Sequence, residues 1–304
     1  MAKPEDALSE VLRLVHLRAC IYFIRDMAAP WGMDIPAVAN GPLHMVLDGS
    51  CVLKVGDRQI SLQAGDAVLL PSGAQHQMLD ALDTPAEPGP EVMQRLLDED
   101  YGPQETSATR MMCGHFEWDI SFEHPLFQEL PEVMIIRDVF SGKDASRIRA
   151  IVDLIGSESK DMRPGSSAIA DRMGEVLFVS FLRHWLVENN PNEGVLAVID
   201  DARLSRALHQ IHDAPEADLT LNVLARTAGM SRTSFAVQFR AAMGIPPAEY
   251  LAGWRLLKAR NLLRRTDLTT SEICSRVGYG SDAAFSRAFK RQFGVPPSKI
   301  RNQA

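Results

Sequence analysis

The spacing of apolar residues changes along the chain and divides it into stretches of different predicted structure. Residues 5–20 open with a short helical period at Leu8, Val11, Leu12 and Val15. From Cys20 to about Asp138, short apolar runs such as CIYFI, HMVLDGSCVLKV, DAVLLP and MMCGHFEWDI alternate with turn residues. Such runs are typical of β-strands, and turns are expected at Asp48-Gly49, Gly56-Asp57 and Gly65-Asp66. Closely spaced strands of this kind predict a β-barrel or a β-sandwich.

A loop is predicted within the strand region, and the chain beyond Asp138 is predicted to be mainly helical. The segment Asp83–Ser107 contains several Pro, Gly and acidic residues, and we expect a mobile loop there. Helical periods follow at about Asp144–Ser159 and Ser166–Asn189, and the second has an apolar stripe that suits packing on the strands or on a second subunit. Asn189–Gly194 is the best candidate for a linker. Every later pattern is helical, which predicts two domains, 1–194 and 195–304.

Charge is divided unequally between these two domains. The formal net charge of the whole chain is −7, but residues 201–304 carry sixteen Lys and Arg against eight Asp and Glu. The first 200 residues carry sixteen basic against thirty-one acidic side chains. This asymmetry indicates that only the C-terminal part contacts nucleic-acid phosphates.

The N-terminal residues and the cysteines indicate the cellular compartment in which the protein is expected. The first residues have no apolar core of a signal peptide, and no apolar run is long enough to span a bilayer. We therefore expect a soluble, cytoplasmic protein that does not bind membranes. The cysteines show no CxxC spacing, and as reduced thiols each is expected to pack as a small apolar side chain; they are Cys20, Cys51, Cys113 and Cys274.

Residues 200–304 contain an internal repeat. Leu224–Gly229 matches Ile273–Gly278, and after one inserted residue the match resumes at an offset of fifty. The later pairs are Ser231/Ser281, Phe235/Phe285, Phe239/Phe289, Gly244/Gly294 and Pro247/Pro297. In each copy a glycine can end one helix in the left-handed conformation, and a serine can cap the next helix. The repeat predicts seven helices, in which the long helix Pro247–Arg264 joins two helix-turn-helix units.

The second helix of each unit is predicted to have one buried and one exposed face. The two Phe pairs have i, i+4 spacing, which places both rings of a pair on one buried face. The exposed residues are short, polar or basic, and they suit close approach to base edges and phosphates. These candidate DNA contacts, together with the capping serines, are Ser231, Arg232, Thr233, Ala236, Val237 and Arg240 in the first unit and Ser281, Asp282, Ala283, Ser286, Arg287 and Lys290 in the second.

The stretches GMSRTSF, GIPPAEYL, WRLLKARNLL and VGYGSDAAFSRAFKRQFGVPPSKIR make residues 200–304 similar to the DNA-binding domain of the AraC/XylS family of bacterial regulators. The resemblance implies two recognition helices, at 231–242 and 281–292. These helices would enter successive major grooves on one face of double-stranded DNA, about one helical turn apart. It further implies a transcription regulator, usually an activator, that works with RNA polymerase.

The first recognition helix departs from the family at one position. The family usually has Arg two residues after the position of Phe235, where this chain has Val237. The second unit keeps its Arg, at Arg287. We infer that the first helix either contacts a thymine methyl group or contributes less to specificity.

The N-terminal domain has its own motifs. The pattern Gly65-x5-Pro71-x-Gly73-x2-His76-x3-Asp80 is similar to the second cupin motif, with Asp in place of the usual Asn. The segment from Gly41 to Val46 is similar to a degraded first motif whose second His is Val46. With Met112–Phe116 and Pro125–Pro131, these motifs make residues 8–190 similar to the cupin-type sensor domain of AraC-like regulators. The resemblance implies a cupin-like β-barrel with flanking helices.

The sequence leaves the ligand of this domain open. A cupin metal site needs four converging ligands, and the motifs retain two, His44 and His76, which His115 or Cys113 on one strand face could complete. The alternatives are a small organic effector, in a pocket with these same four residues, or no ligand at all. Cys113 beside a charged His115 would also suit a redox sensor, whereas the simpler alternative is a buried strand cysteine.

Three functional classes fit these features to different degrees. A ligand-responsive regulator that forms a homodimer uses both domains, and it is our expectation. A metal-dependent cupin enzyme with a DNA-binding tail is disfavoured, because the first cupin motif has lost the second His of its HxH pair and the Glu that usually follows that pair. A purely architectural DNA-binding protein would have no use for the barrel. We therefore expect no enzymatic activity and no cofactor other than, at most, a divalent metal in the barrel.

Overall fold

The segment between Arg18 and Ile136 forms strands, as its apolar runs predict. The structure is a computed structural model that describes residues 7–14, 17–97, 108–118, 130–161, 163–189 and 201–301. Its strands are β1 (Arg18–Ala28), β2 (Gly32–Ile35), β3 (Gly41–Asp48), β4 (Ser50–Val55), β5 (Arg58–Gln63), β6 (Ala67–Leu69), β7 (His76–Leu79), β8 (Glu87–Pro88), β9 (Ala108–Glu117) and β10 (Met134–Ile136).

The strands form two five-stranded sheets. The first sheet has the order β1-β9-β3-β6-β10, and the second has the order β5-β4-β7-β2-β8. Along β4, Leu53 and Val55 are buried while the residues between them are more exposed, which is the period of a strand with one face on a core. A single cluster of buried side chains includes Phe23 and Met27 of the first sheet and Leu53 and Met78 of the second. The two sheets therefore share one core.

The predicted β-barrel is not closed among the described strands. Each sheet ends at its own edges, and no ladder of hydrogen bonds joins one sheet to the other in this part of the chain. The edge strands β8 and β10 have two and three residues, so they offer few backbone groups for closure. The N-terminal domain is thus a pair of facing sheets.

Two helices follow the strands at the predicted positions. They are α3 (Ala145–Asp161) and α4 (Ser166–Asn189), after the earlier helices α1 (Ala7–Leu14) and α2 (Gly89–Leu97). Helix α4 packs on the first sheet so closely that a Cβ added to Gly174 would lie 2.6 Å from the Cβ of Ala19. The ring of Phe178 meets that of Phe116 edge-on, with 5.0 Å between centroids. The apolar stripe of α4 therefore covers its own sheet, which was one of the two predicted roles.

The prediction of a mobile loop at Asp83–Ser107 is wrong for its first half. Strand β8 and helix α2 lie in this segment, while residues 98–107 are outside the described part of the chain. Val92 and Leu96 are buried in the shared core of the sheets. Their i, i+4 spacing supplies one apolar side of a short helix, which packing stabilises despite the surrounding Pro and acidic residues.

The C-terminal part is helical throughout its described residues. Its helices are α5 (Ala202–Asp213), α6 (Leu221–Thr227), α7 (Arg232–Met243), α8 (Pro247–Arg265), α9 (Thr270–Arg276), α10 (Asp282–Phe293) and α11 (Pro297–Arg301). By its contacts, helix α1 groups with this unit and packs against α5 and α8, with Leu8 and Val11 buried. The other compact unit contains the sheets, α3 and α4.

Helix α8 packs on both helix-turn-helix units. On one side Tyr250 meets Phe239 at 5.8 Å between ring centroids, and Trp254 stacks on His212 at 3.6 Å. The Nε2 atom of His212 is 2.7 Å from the hydroxyl of Tyr250. Further along α8, the second cluster contains Leu256, Ala259 and Leu263 with residues of α9 and α10. Each unit is therefore held by a different stretch of one helix.

Several predictions concern residues that the structure does not describe. The proposed linker from residue 190 to 194 and residues 125–129 of the Pro125–Pro131 motif lie outside the described part, as do residues 15 and 16 of the first helical period. No helix in the described part is both long enough and apolar enough to cross a bilayer.

The glycines in the turns of the two helix-turn-helix units, Gly229 and Gly278, differ in their surroundings. This difference leads to a prediction about stability. Gly229 and Gly278 have φ of +68° and +80°, so alanine at either position is strained by about 1–2 kcal/mol. A Cβ at 278 would also lie 2.7 Å from the Cα of Glu216, whereas at 229 its nearest neighbour is a side-chain nitrogen of Arg206 at 3.7 Å. In urea unfolding, Gly278→Ala should therefore lower the free energy of unfolding by about 1–3 kcal/mol more than Gly229→Ala. Equal losses would contradict this account of the second turn.

Candidate DNA-binding surface and interior cavity

The two predicted recognition helices, α7 and α10, begin and end in the same way. The hydroxyl of Ser231 accepts the backbone N–H of Ser234 at 3.2 Å, and that of Ser281 accepts the N–H of Ala284 at 3.1 Å. At their other ends, Gly244 and Gly294 adopt the left-handed conformation. The capping serines therefore position the helices, and their side-chain oxygens are already bonded to the backbone.

The exposure of the two helices is also the same from the capping serine through the first nine helical residues. Over 231–240 and 281–290, the sequence of buried, half-buried and exposed positions is identical at all ten positions. The Phe pairs are fully buried, with ring centroids 5.5 Å apart in α7 and 5.6 Å apart in α10. The predicted contact residues lie on the other side, where Ala236 and Ser286 are half-buried and the rest are exposed.

The basic side chains on this surface are available to a ligand. Among the described residues, Arg232, Arg240, Arg287 and Lys290 form no salt bridge. An exposed cation without a partner loses little on meeting a phosphate or a guanine edge, because no internal ion pair has to be broken. The geometry of both helices therefore suits insertion into a major groove.

In the N-terminal unit, three of the four predicted pocket residues form one hydrogen-bonded chain. His44 on β3 pairs across the first sheet with Cys113 on β9, and its Nδ1 is 3.2 Å from the Cys113 Sγ. The Nε2 of His44 is 2.8 Å from the Nε2 of His76, which lies on β7 of the second sheet. The Nδ1 of His76 is 2.8 Å from the carbonyl oxygen of Ala74. The chain thus links the two sheets through the core.

The direction of each hydrogen bond in this chain follows from the acceptor at its end, the carbonyl oxygen of Ala74. The Ala74 carbonyl only accepts, so Nδ1 of His76 carries a proton, and in the neutral ring Nε2 is then an acceptor. His44 must therefore donate from Nε2, which leaves its Nδ1 to accept the thiol proton of Cys113. All polar atoms of the chain are bonded while every group is neutral.

The surroundings favour these neutral forms. Burial, and next the neighbouring His76, lowers the pKa of His44 well below its usual value. Burial likewise lowers the pKa of His76. Burial, followed by the neighbouring Cys51, raises the pKa of the Cys113 thiol. This last direction is opposite to the one a reactive thiolate needs, so the redox hypothesis for Cys113 is not supported.

The glycine of the cupin-like motif explains how His76 reaches this position. Gly73 has φ of +67°, and its carbonyl oxygen accepts the N–H of Val38 at 2.9 Å. A Cβ at position 73 would lie 1.9 Å from the Val38 carbonyl oxygen. Only glycine allows this approach of the two backbones, and His76 follows three residues later at the start of β7.

His115 belongs to a second, separate group. Its Nδ1 is hydrogen-bonded to the hydroxyl of Tyr22 on β1, and its Nε2 is 2.9 Å from a carboxylate oxygen of Glu117. Burial, followed by Cys20 and Glu117, raises the pKa of Tyr22 to about 12. The structure therefore divides the predicted set of four residues into His44, His76 and Cys113 in one group and His115 in another.

The donor groups of the described residues do not fit the predicted metal site. The two Nε2 atoms that would bind a metal face each other at hydrogen-bond distance. No group of three His, Cys, Asp or Glu side chains able to hold an ion occurs in the described part of the chain. The last residue of the motif, Asp80, accepts hydrogen bonds from the N–H of Ala81 and the hydroxyl of Thr84 and stabilises a turn.

A cavity of about 240 Å³ borders both hydrogen-bonded groups. Its polar lining includes Tyr22, Asn40, His44, Cys113 and His115, and the rest is mainly apolar side chains of β1–β3 and α2. Among the residues that the structure describes, no Lys, Arg, Asp or Glu lines it. Such a site suits a small uncharged molecule, because a charged one would lose its hydration without meeting an opposite charge.

Sequence reasoning missed the contributions of Tyr22 and α2 to this cavity. Pro90 and Met93 line it from α2, a helix within the segment that was predicted to be a loop. Alternation along the CIYFI run would place Tyr22 and Phe23 on opposite strand faces, but both line the cavity, because β1 has a register shift between Ile21 and Phe23 that no local pattern indicates.

In comparisons with known proteins, two domain models match successive parts of the chain. A cupin domain model matches residues 6–187, and a helix-turn-helix domain model matches residues 224–303. The HTH-type transcriptional regulator AlkR of Acinetobacter baylyi is 28% identical, over 98% of this chain and 100% of its own. The RCS-specific HTH-type transcriptional activator RclR of Escherichia coli is 26% identical, over 98% of both chains.

One of the similar solved structures is the DNA-binding domain of AdpA, a global transcriptional factor, in complex with a target DNA. It is 28% identical, covers 36% of this chain and 92% of its own, and has a TM-score of 0.31.

The buried histidine pair generates a pH prediction. The pKa values of His44 and His76 are lowered in the folded state, whereas an unfolded histidine titrates near pH 6.5. Below about pH 6.5 the unfolded chain therefore binds more protons, and the free energy of unfolding falls as the pH drops, by up to about 1.4 kcal/mol per pH unit for each histidine. Urea unfolding from pH 7.5 to 5.5 measures this slope. His44→Gln, which cannot titrate, should have a smaller slope, and an unchanged slope would contradict the assignment.

Proposed function

This chain belongs to the AraC-like transcription regulators that carry a cupin domain before a helix-turn-helix domain, and we propose that it activates transcription from a specific DNA operator in response to a small molecule. The duplicated surface of α7 and α10 carries the proposal. Two helices with the same caps, the same buried Phe pair and the same exposure favour recognition of two neighbouring DNA segments.

The DNA interaction is proposed to use both recognition helices in successive major grooves of one DNA face. The excess of basic side chains in residues 201–304 supports binding to phosphates. Arg287 is the candidate for base recognition in α10, because its guanidinium is exposed and can donate two hydrogen bonds to a guanine. Arg232, Arg240 and Lys290 are the candidates for phosphate contacts.

The small molecule is proposed to bind in the cavity beside His44, Cys113, His115 and Tyr22. A dry cavity of about 150 Å³ can bind benzene, so about 240 Å³ is enough for a small aromatic or aliphatic effector. The neutral forms of His44 and Cys113 in the lining, together with its apolar side chains, support an uncharged ligand with one polar group. A divalent metal at His44 and His76 is not proposed, because their Nε2 atoms face each other at hydrogen-bond distance, and metal analysis of the purified protein tests this directly.

The regulatory step is proposed to be a shift in population. The effector would favour the arrangement of a homodimer in which both helix-turn-helix units meet DNA and RNA polymerase. In this scheme residues 1–194 are the effector and dimerisation domain, and residues 195–304 are the DNA-binding domain. We place the protein in the cytoplasm, where its DNA and RNA polymerase are found.

Arg287→Ala tests the recognition of DNA. The loss of a bidentate contact to guanine should weaken binding to the selected operator by roughly 5- to 150-fold, which corresponds to about 1–3 kcal/mol. Binding to random DNA at the same salt concentration should weaken much less. Titrations with fluorescent duplexes measure both affinities.

Arg163→Ala is the matched control, since it removes an exposed arginine of the sheet-containing unit. It should leave both affinities unchanged. An equal loss for Arg287→Ala on operator and random DNA would assign Arg287 to phosphate alone.

A thermal-shift comparison of matched probes tests the cavity. Benzyl alcohol and other small uncharged aromatics should raise the melting temperature of the full chain, because a ligand that binds only the folded state stabilises it. Benzoate, of similar size but charged, should not. Met93→Trp, which fills part of the cavity from α2, should abolish the shift. A shift that persists in this variant would show that the probe binds elsewhere.

A further inference from the structure

Val237 is the most exposed large apolar side chain in the described part of the chain. Its relative exposure is 63%, against 45% for Leu82 and about 40% for Leu154, Ile169 and Val176. A branched residue in a helix also restricts its own side-chain rotamers, and alanine would be the better helix former at an exposed site. Neither helix stability nor the core of the unit therefore accounts for valine at this position.

Val237 occupies in α7 the position that Arg287 occupies in α10. Both follow the first buried Phe of a recognition helix by two residues, and both lie between the same capping serine and left-handed glycine. The identical exposure of the two helices means that a DNA contact available to Arg287 in α10 is sterically available to Val237 in α7.

The neighbours of Val237 define the chemistry that α7 offers. Thr233 lies one turn before it and Ala241 one turn after it, and Ala236 lies beside it. This central strip therefore presents methyl groups and one hydroxyl. The long cationic side chains of this face, Arg232 and Arg240, each lie one turn from Ala236, on either side of it, and suit the flanking phosphates. No residue of the strip can form the bidentate hydrogen bonds by which proteins distinguish guanine or adenine.

The major groove has one apolar base feature that matches such a strip. The C5-methyl group of thymine projects into the groove, and no other unmodified base has a methyl group there. Burial of one methyl group in an apolar contact changes a binding constant by about fourfold. Such a contact would also remove the exposed apolar surface of Val237 from water, which lowers the free energy of the complex relative to the free protein.

We propose that Val237 recognises the methyl group of a thymine, so that the operator has a thymine-dependent segment under α7 and a guanine-dependent segment under α10. The inference rests on the proposed function, because it requires that α7 enters a major groove. It adds the chemical identity of a base in one half of the operator and a reason for the difference between the two helices.

Deoxyuridine substitution tests the proposal at the level of one methyl group. An operator is first selected from random duplexes with the full chain, and loss of guanine dependence with Arg287→Ala identifies the segment under α10. Each thymine in the other segment is then replaced singly by deoxyuridine, which pairs with adenine but lacks the methyl group. One replacement should weaken binding by the full chain about fourfold.

Val237→Ala supplies the second arm of the test. The substitution removes exposed atoms only and should not affect folding, and it should weaken binding to the thymine operator about as much as deoxyuridine does. With this variant the deoxyuridine replacement should have no further effect. Val176→Ala, a matched exposed valine of the sheet-containing unit, should retain the full sensitivity to deoxyuridine.

The outcomes separate this inference from the proposed function. If the full chain selects no sequence from random DNA, the proposed function itself is wrong. If it selects an operator in which no deoxyuridine replacement weakens binding, or in which Val237→Ala leaves the sensitivity unchanged, only the role of Val237 is overturned. Val237→Arg adds a positive result, since it should change the preferred base at that position from thymine to guanine.

Discussion

The C-terminal unit depends on the packing of one helix, α8, against two sets of partners. Tyr250 and Trp254 contact Phe239 and His212 on one stretch of α8, and Leu256 lies in the cluster of the second unit further along. Because each recognition helix is held through its buried Phe pair, a rotation of α7 or α10 would open a cavity in the core. Close packing therefore restricts which face of each helix remains exposed. The exposed faces are the ones that carry Val237 and Arg287.

The sheet-containing unit is organised around a different constraint, the satisfaction of polar groups in an apolar core. His44, His76 and Cys113 come from both sheets, and each of their polar atoms has a partner only if the protons are arranged in one direction. A charged histidine would disrupt this order and would be poorly solvated. The same arrangement that stabilises the neutral groups thus presents a neutral wall to the adjacent cavity, and this chemistry links the stability of the unit to the class of molecule it can accept.

Prediction from the sequence succeeded where local patterns carry the information. The strand runs, the bounds of α4, the capping serines and the exposure of one face of α7 and α10 are all confirmed, because alternation, helical period and cap chemistry are properties of neighbouring residues. The loop predicted at Asp83–Ser107 contains α2, whose Val92 and Leu96 are stabilised by a core built from distant strands. The predicted barrel is not closed among the described strands, since closure depends on edge strands whose pairing no local pattern encodes. The sequence grouped His115 with His44 in one site, whereas in the structure His115 forms its hydrogen bond to Tyr22.

The sequence by itself determined that the two capped helices α7 and α10 exist, where they begin and end, and that one has valine where the other has arginine. It determined these points because the repeat, the glycines and the serine caps act within a few residues of one another. Only the tertiary structure decided that His44 bonds to His76 and not to His115, and that a cavity lies beside His44. These features are contacts between residues far apart in the chain, and their geometry is set by how sheets and helices pack together, which spacing along a sequence does not specify.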